Sequence, residues 1–374
     1  MIEAVEAIAD RFHPRERITA IRALGSGNVN ETFLVTHDGQ AQGGAFVLQR
    51  LNTAVFERPD LVMQNLVALG DHVQRRLASP PPELSGRRWE VPTVVRCRED
   101  AHWVEQDGQF WRSITYIGAA TTWDVIRDRG HAREVGYGLG MFHSLISDLP
   151  AEHLADTLEN FHVTPAYLKR FDSVARPACV EEGSLLAQAI AFVDGRRQGI
   201  DVLEAALERG ELRHRPIHGD PKINNVMMDE SSGKAVGLID LDTVKPGLVH
   251  YDIGDCLRSC CNPVGEEETN LDAVHFDLGL CEAILDGYLT VARGFLSRWD
   301  LHYLPDCIRL IPLELGLRFL TDHLEGDVYF RTNRKDHNLH RAAVQFRLTA
   351  SIEAQMDGIR ALVQRLGADI ANGR

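Results

Sequence analysis

Three oxygen-bearing side chains in the middle of the chain have the types and spacing of a phosphoryl-transfer site. Asn225 lies five residues after Asp220, and Asp240 lies twenty residues after it. Two carboxylates and an amide oxygen suit Mg²⁺, which prefers oxygen ligands and keeps positions for waters and substrate phosphates. A carboxylate left off the metal could accept a proton from a hydroxyl. The pattern therefore predicts a phosphoryl-transfer site built from Asp220, Asn225 and Asp240.

A β-hairpin between these residues would bring them together. Val226–Met228 and Ala235–Ile239 are short apolar runs typical of strands, and residues 229–233 have the composition of a turn. The polar residues lie at the outer ends of the predicted hairpin, so the three side chains should converge. An ordinary hairpin with solvated polar ends is the alternative interpretation.

Longer motifs around these residues resemble those of a known family. HGDPKINNV at 218–226 and IDLDTVKPGLVHYDIGD at 239–255 resemble the catalytic and metal segments of the aminoglycoside phosphotransferase family. Both look closer to its N-acetylhexosamine 1-kinase branch, and the resemblance extends to about residue 350. It implies an α+β, protein-kinase-like fold with a small antiparallel-sheet N-lobe and a larger, mainly helical C-lobe. It also implies ATP as co-substrate, Mg²⁺, and phosphorylation of a small-molecule hydroxyl. By this resemblance Asp220 is the predicted catalytic base, and Asn225 and Asp240 are the predicted metal ligands.

Length and composition agree with a soluble two-lobed protein. The 374 residues are 44% hydrophobic and 25% charged. The net charge of −14 argues against nonspecific binding to nucleic acid or anionic membranes, and it requires Mg²⁺ and local basic residues at an ATP site. The start of the chain lacks a signal-peptide pattern, and the seven cysteines favour reduced thiols. We therefore expect a cytoplasmic enzyme whose partners are ATP and a small molecule.

Residues 1–117 are the predicted N-lobe. A Gly-rich turn between its first two strands can fold over phosphates, because glycine lets the backbone approach closely. The G-x-G-x-x-N pattern of this turn resembles the hexosamine kinase branch. The residues predicted to contact the nucleotide from the turn are Gly25, Gly27, Asn28 and Asn30.

The rest of the predicted N-lobe supplies a base, a helix and a hinge. Strand alignment places Arg50 at the phosphate-binding position of the third strand, and a slip of one residue would place Gln49 there. The helix that follows, from about Pro59 to Leu77, carries Gln64 where this fold usually has a glutamate. Tyr116 ends the sheet at the predicted hinge, where backbone groups would pair with adenine.

Residues 118–374 are the predicted C-lobe, with long helices at 183–209 and 342–366 among its elements. Asp252, in the motif after the metal residue, is predicted to cap backbone N–H groups of the catalytic loop together with His218. Asp242 is expected near the metal or the acceptor, with a second-ligand role and a loop-stabilising role both open. The resemblance further implies that Arg318 and Tyr329 contact a sugar substrate.

These residues favour an ATP-dependent kinase that phosphorylates the anomeric hydroxyl of an N-acetylhexosamine. One alternative is another kinase of the same fold, acting on choline, homoserine, hydroxylysine or an aminoglycoside. A second alternative, from a different class, is a nucleotide-binding pseudokinase that acts as a sensor. The presence of Asp220, Asn225 and Asp240 argues against the pseudokinase.

Overall fold

An antiparallel sheet organises the N-terminal part of the chain. The computed structural model describes residues 2–12, 17–25, 29–38, 44–176 and 180–371. The strands of this sheet are β1 (Ile18–Ala23), β2 (Glu31–His37), β3 (Gly44–Leu51), β4 (Val94–Val95), β5 (Val104–Gln106) and β6 (Gln109–Thr115). They pair in the order β1-β2-β3-β6-β4, and β5 adds to β6 as a hairpin.

Two helices cover this sheet. The N-terminal helix α1 (Ile2–Phe12) buries Val5 and Ile8 in one cluster with Phe46 and Leu48 of β3. The long helix α2 (Pro59–Leu77) belongs to the main core of the protein. Because side chains alternate along a strand, neighbouring residues of β3 point toward different partners.

The rest of the chain is mainly helical. The helices are α3 (Arg129–Ile146), α4 (Thr164–Val174), α5 (Leu185–Asp194), α6 (Val202–Glu208), α7 (Val249–Cys260), α8 (Leu278–Ala292), α9 (Arg298–His302), α10 (Leu304–Leu324), α11 (His337–Ala354), α12 (Met356–Leu366) and α13 (Ala368–Ala371). Helices α3 and α8 pack closely at Gly136, where a Cβ atom would lie only 1.9 Å from the carbonyl oxygen of Ile284. This α+β, protein-kinase-like architecture confirms the predicted fold class.

Short strands between α6 and α7 carry the candidate site residues. They are β8 (Arg215–Ile217), β9 (Val226–Asp229), β10 (Ala235–Leu238) and β11 (Lys245–Gly247), and a further short strand, β7 (Ala120–Thr121), precedes α3. The β9–β10 hairpin extends into a three-stranded sheet through β7, and β8 pairs with β11. The hairpin predicted from the apolar runs is therefore present, with its second strand ending at Leu238.

Two helix predictions were wrong in extent. The segment 183–209 contains two helices, because the chain leaves the helix at Gly195 and passes through Gly199, whose φ is +74°. The segment 342–366 is also divided, at Gln355, where the backbone has φ −109° and ψ 10°. The Gln355 amide donates to the carbonyl oxygen of Phe276, 2.9 Å away, which holds the break in place.

The predicted lobe boundary lies in a short connection. Residue 117 follows β6, the last strand of the large sheet, and β7 begins at Ala120. Division of the chain into lobes at this point stays a prediction. Among the described residues, no helix is both long and apolar enough to span a membrane.

Candidate active site

A buried carboxylate holds the loop that carries Asp220. The Oδ2 and Oδ1 atoms of Asp252 accept hydrogen bonds from the backbone N–H groups of His218 and Gly219, at 2.6 and 2.8 Å. His143 lies 2.8 Å from the same carboxylate and bonds Tyr288 through its other ring nitrogen. Although burial raises the pKa of Asp252, its hydrogen bond and charge interactions with the histidines lower it overall. Asp252 is thus placed to fix the loop backbone.

His218 connects this loop to the end of the β9–β10 hairpin. One ring nitrogen, Nδ1, accepts from the backbone N–H of Asp220 at 3.2 Å, and Nε2 lies 3.0 Å from the carbonyl oxygen of Ile239. Nε2 must therefore carry the proton, so the ring is neutral. Burial lowers the pKa of His218, which agrees with this tautomer. The imidazole of His218 therefore joins the backbone at Asp220 to the backbone at Ile239, which directly precedes Asp240.

Gly219 allows the loop to turn beneath the hairpin. Its φ is +88°, and a Cβ atom would lie 2.6 Å from the carbonyl oxygen of Thr243. A side chain at this position would be strained and would clash with backbone. The carbonyl oxygen of Gly219 accepts a 2.8 Å hydrogen bond from Nε2 of His162, whose Nδ1 bonds Glu314 at 3.0 Å.

The structure brings together the three side chains that the spacing predicts. The Asn225 amide nitrogen donates to the backbone carbonyl of Asp220 at 2.7 Å, which leaves its amide oxygen for another partner. Asp240 has a left-handed backbone conformation directly after β10. Protein surrounds most of its side chain, while solvent reaches it through the cleft. Burial and the charges of Asp242 and Asp220 raise the pKa of Asp240 to about 6.

This donor set fits Mg²⁺ that shares its coordination sphere with a nucleotide. Clustered carboxylates, one with a raised pKa, gain from a nearby cation. No group of three or more His, Cys, Asp or Glu residues in the described ranges forms a complete metal cage. Mg²⁺ sites in phosphoryl-transfer enzymes typically use one or two carboxylates and take further oxygens from phosphates and water. Asn225 and Asp240 are the residues that would hold the ion.

Lys222 provides the positive charge nearest to Asp220. Its Nζ lies 2.7 Å from Oδ2 of Asp220. Burial would lower the pKa of Lys222, but Asp220, Asp240 and Asp255 raise it, so the ammonium form is favoured. About a third of the side chains of both Lys222 and Asp220 is exposed, which leaves them accessible to a ligand.

A cleft separates the sheet from the β9–β10 hairpin. It is lined by Gln49, Leu66, Pro92, Val94, Arg112, Ile114, Asp240, Leu241 and Asp242. Asp242 is 2% exposed, forms an ion pair with Arg112, and accepts a 2.6 Å hydrogen bond from the amide of Asn30. The role of Asp242 toward a metal or an acceptor stays a prediction.

A match to a sequence family relates this chain to known proteins. The sequence profile of the phosphotransferase enzyme family (APH) matches residues 20–287, which is more than half of the chain. The chain belongs to this family.

Solved structures show the same fold at low sequence identity. An aminoglycoside phosphotransferase from Alicyclobacillus acidocaldarius superposes with a TM-score of 0.62 at 15% identity, covering 96% of each chain. A microcompartment-associated aminopropanol kinase has a TM-score of 0.59 at 17% identity, covering 96% of this chain and 99% of its own. Choline kinase from Cryptosporidium parvum Iowa II has a TM-score of 0.57 at 13% identity, covering 93% of each chain.

One predicted nucleotide contact of this APH-family protein, Arg50, lies elsewhere than expected. Arg50 forms an ion pair with Glu31 and lies 5.9 Å from the ring of Trp111, a residue of the α1-covered cluster. Because side chains alternate along β3, Arg50 shares the face of Leu48, whereas Gln49 lines the cleft. The prediction of Arg50 as the phosphate-binding base is therefore not supported by its position. The one-residue slip considered from the sequence describes this strand better.

The Gly-rich turn is only partly described. Gly25 has φ +72°, in the left-handed region, and Asn30 accepts from the backbone N–H of Asn52 at 2.9 Å. Gly27 and Asn28, also predicted to contact the nucleotide, lie outside the described residues. Tyr116 is half-buried directly after β6, at the predicted hinge.

Helix α2 contacts the motif at 239–255 through Asn65, which was not among the predicted site residues. Gln64 is exposed, so it does not replace the usual glutamate inside the cleft. The next residue, Asn65, is 2% exposed and donates to the carbonyl oxygens of Val244 and Ala155, both at 2.9 Å. The helix is thus fixed by amide–backbone bonds close to Asp242.

Arg318 and Tyr329, the predicted sugar contacts, lie close together around Phe330. The Arg318 guanidinium lies 5.1 Å from the ring centroids of both Phe161 and Tyr167 and 5.5 Å from that of Phe330. Tyr329 is 56% exposed and contacts Phe330 edge-on at 4.8 Å. The buried Asp322 accepts from the backbone N–H groups of residues 328, 329 and 330, which fixes this loop.

Sequence reasoning missed several residues that hold the site, chiefly Arg112, His162 and Glu314. Arg112 had a usable signal, since an arginine within a predicted apolar strand, W-R-S-I-T, needs a buried partner. His162 and Glu314 are separated by 152 residues and meet only through the packing of α10. No local pattern could have paired them.

Proposed function

We propose that this protein is an ATP-dependent small-molecule kinase, with the nucleotide in the cleft that contains Gln49 and Asp240. The observation that carries the proposal is the convergence of Asp220, Asn225 and Asp240, of which Asp240 lines this cleft. Family membership supports phosphoryl transfer as the reaction. The division into an N-lobe at 1–117 and a C-lobe at 118–374 belongs to the same proposal.

Asp220 orients the acceptor hydroxyl and takes its proton. His218 and Asp252 hold the backbone on which Asp220 is carried, and Lys222 bonds one of its carboxylate oxygens. Since the transition state for phosphoryl transfer is loose, positioning and electrostatics supply most of the acceleration. Mg²⁺ held by Asn225 and Asp240 would neutralise charge on the phosphates. Late proton transfer does not require a raised pKa at the base.

For the acceptor we propose the anomeric hydroxyl of an N-acetylhexosamine, GlcNAc or GalNAc, giving the 1-phosphate. The unpaired donors of Arg318 support an acceptor with neutral oxygens. The Arg318 side chain is 14% exposed, and none of its N–H groups bonds a described residue. Its nearest carboxylate, Glu314, lies 4.0 Å away and is shared with His162. A sugar amide or hydroxyl oxygen would complete its hydrogen bonds, and Tyr329 would pack on the ring.

An acceptor panel tests this proposal. ATP consumption with Mg²⁺ would be measured with GlcNAc, GalNAc, glucose, aminopropanol, choline, homoserine and kanamycin, and phosphorus NMR would assign the phosphorylated atom. A 1-phosphate from an N-acetylhexosamine is the expected product. Phosphorylation of an amino alcohol or an aminoglycoside would retain the kinase assignment and overturn the acceptor assignment. Tight Mg–ATP binding without turnover of any acceptor would favour a nucleotide sensor.

A further inference from the structure

The proposed nucleotide cleft contains carboxylates that would repel phosphate groups. Asp240 and Asp242 place carboxylates on one wall, and a nucleotide brings further negative charge. The third strand carries no basic residue on the cleft face, since Arg50 pairs with Glu31 on the other face. Among the described residues that line the cleft, Arg112 is the one cation.

Strand pairing puts Arg112 at the position where β3 lacks a base. Gln49 of β3 and Arg112 of β6 are direct cross-strand partners, so both side chains leave the same face of the sheet. The Gln49 Oε1 accepts from Nε and Nη2 of Arg112, at 2.9 and 2.7 Å. Gln49 also donates to Thr32 at 3.1 Å, which fixes the orientation of its amide. The guanidinium is held on the wall of the cleft.

The hydrogen bonds of Arg112 leave part of the guanidinium available. A guanidinium has five N–H donors. Nε uses its one donor on Gln49, and Nη2 uses one of its two on Gln49 and forms an ion pair with Asp242. Nη1 is buried and, within the described part of the chain, has no hydrogen-bond partner. Leaving two charged donors unpaired at a 2% exposed side chain is costly unless a ligand meets them.

We propose that Arg112, on β6, binds the phosphates of the nucleotide through Nη1, with Gln49 and Asp242 holding its guanidinium. This inference rests on the proposed function, since it assumes that the cleft takes a nucleotide. It assigns to a neighbouring strand the positive charge that a third-strand base supplies in protein kinases. Asp242 then serves to keep the arginine extended across the cleft and to hold Asn30 of the Gly-rich turn.

A phosphate series separates this role from a purely structural ion pair. Dissociation constants for adenosine, AMP and ADP would be measured by calorimetry with Mg²⁺ and with EDTA, for the full-length protein and for Arg112→Gln. We expect ADP binding to weaken by about tenfold or more, the factor that one charged hydrogen bond contributes. Adenosine binding should change by less than about twofold, because adenosine lacks phosphates.

A matched control and two further variants guard against misfolding. Arg215→Gln removes a comparable buried pair, with Asp300 at 2.8 Å, outside the cleft lining, and should keep the wild-type ratio of ADP to adenosine affinity. The double variant Arg112→Gln/Asp242→Asn removes both charges of the pair, so no unpaired buried carboxylate remains. Arg112→Lys keeps the charge and should retain more of the ADP preference than Arg112→Gln.

The outcomes distinguish the inference from the proposed function. Equal weakening of adenosine and ADP in Arg112→Gln and the double variant, or an unchanged ratio, would overturn the phosphate-binding role while leaving the nucleotide site intact. Absence of any nucleotide binding by the wild-type protein would overturn the proposed function itself. A loss confined to the phosphate-bearing ligands would support the inference.

Discussion

Nε2 of His162 lies 2.8 Å from the carbonyl oxygen of Gly219, the residue directly before Asp220, and Nδ1 lies 3.0 Å from the carboxylate of Glu314. Both partners are acceptors, so the imidazole must donate from both nitrogens and carry a positive charge. Burial would lower the pKa of His162, but the charge and hydrogen bond of Glu314, with the charge of Asp255, raise it. The catalytic loop is therefore held by a buried imidazolium.

The stability of the protein should depend on this histidine in a pH-dependent way. Since the folded-state pKa is above the unfolded value of about 6.5, the stabilisation is fully present below that pH and is lost as pH rises through the folded pKa. His162→Gln should lower the free energy of unfolding by about 3 kcal/mol at the acidic end and by less at the alkaline end. Urea unfolding between about pH 5.5 and about pH 9 measures this. A difference that stays constant across this range would contradict it.

Asp220→Asn should lower kcat by about 10²- to 10⁴-fold, because the acceptor proton loses its base. Binding of Mg–ADP should remain nearly unchanged, since the metal residues Asn225 and Asp240 are retained. Steady-state kinetics with the active acceptor and calorimetry with ADP check both parts. Asp229→Asn, at the end of β9 where the hairpin turn begins, is the matched control and should keep wild-type turnover. Retained activity in Asp220→Asn would remove this residue from the base role.

Asn225→Ala should raise the Mg²⁺ concentration needed for half-maximal activity by about tenfold or more, since even residues that only support a metal ligand contribute that much. The amide also donates to the carbonyl of Asp220, so kcat should fall as well. Activity measured over a Mg²⁺ titration at fixed ATP gives both values. An unchanged Mg²⁺ requirement would indicate that the amide oxygen does not bind the metal.

Asn65→Ala should lower the free energy of unfolding by about 2–4 kcal/mol, because it leaves buried backbone groups at residues 155 and 244 without partners. The neighbouring Gln64→Ala is a matched control on the exposed face of α2 and should change stability by less than about 0.5 kcal/mol. Denaturant unfolding of both variants tests the comparison. Equal effects would show that the Asn65 bonds do not hold the helix.

Arg318→Met should lower kcat/KM for the acceptor by about 10- to 100-fold, the range of a hydrogen bond to a charged group, and leave KM for ATP unchanged. Methionine keeps much of the contact with the surrounding rings while removing the donors. Val328 lies in the loop that carries Tyr329 and is 73% exposed, so Val328→Ala should behave as wild type. A rise in KM for ATP in Arg318→Met would place Arg318 on the nucleotide side instead.

The sequence by itself determined the fold class and the convergence of the three candidate site residues. Asp220, Asn225 and Asp240 lie within 21 residues, and a hairpin with a local turn signal joins them, so their convergence follows from short-range rules. The matching family motifs have the same local character. Helix α2 could also be predicted closely, because its apolar spacing and its initial proline are local features.

Only the tertiary structure decided which side chains support this centre. Whether Arg50 or Gln49 faces the cleft depends on strand register, where a shift of one residue reverses the face. The partners of Arg112 lie 63 and 130 residues away in the sequence, at Gln49 and Asp242, and their meeting depends on how the sheet packs on the hairpin. The same holds for His162 and Glu314. Buried polar groups require partners, but local sequence does not specify which distant residues supply them.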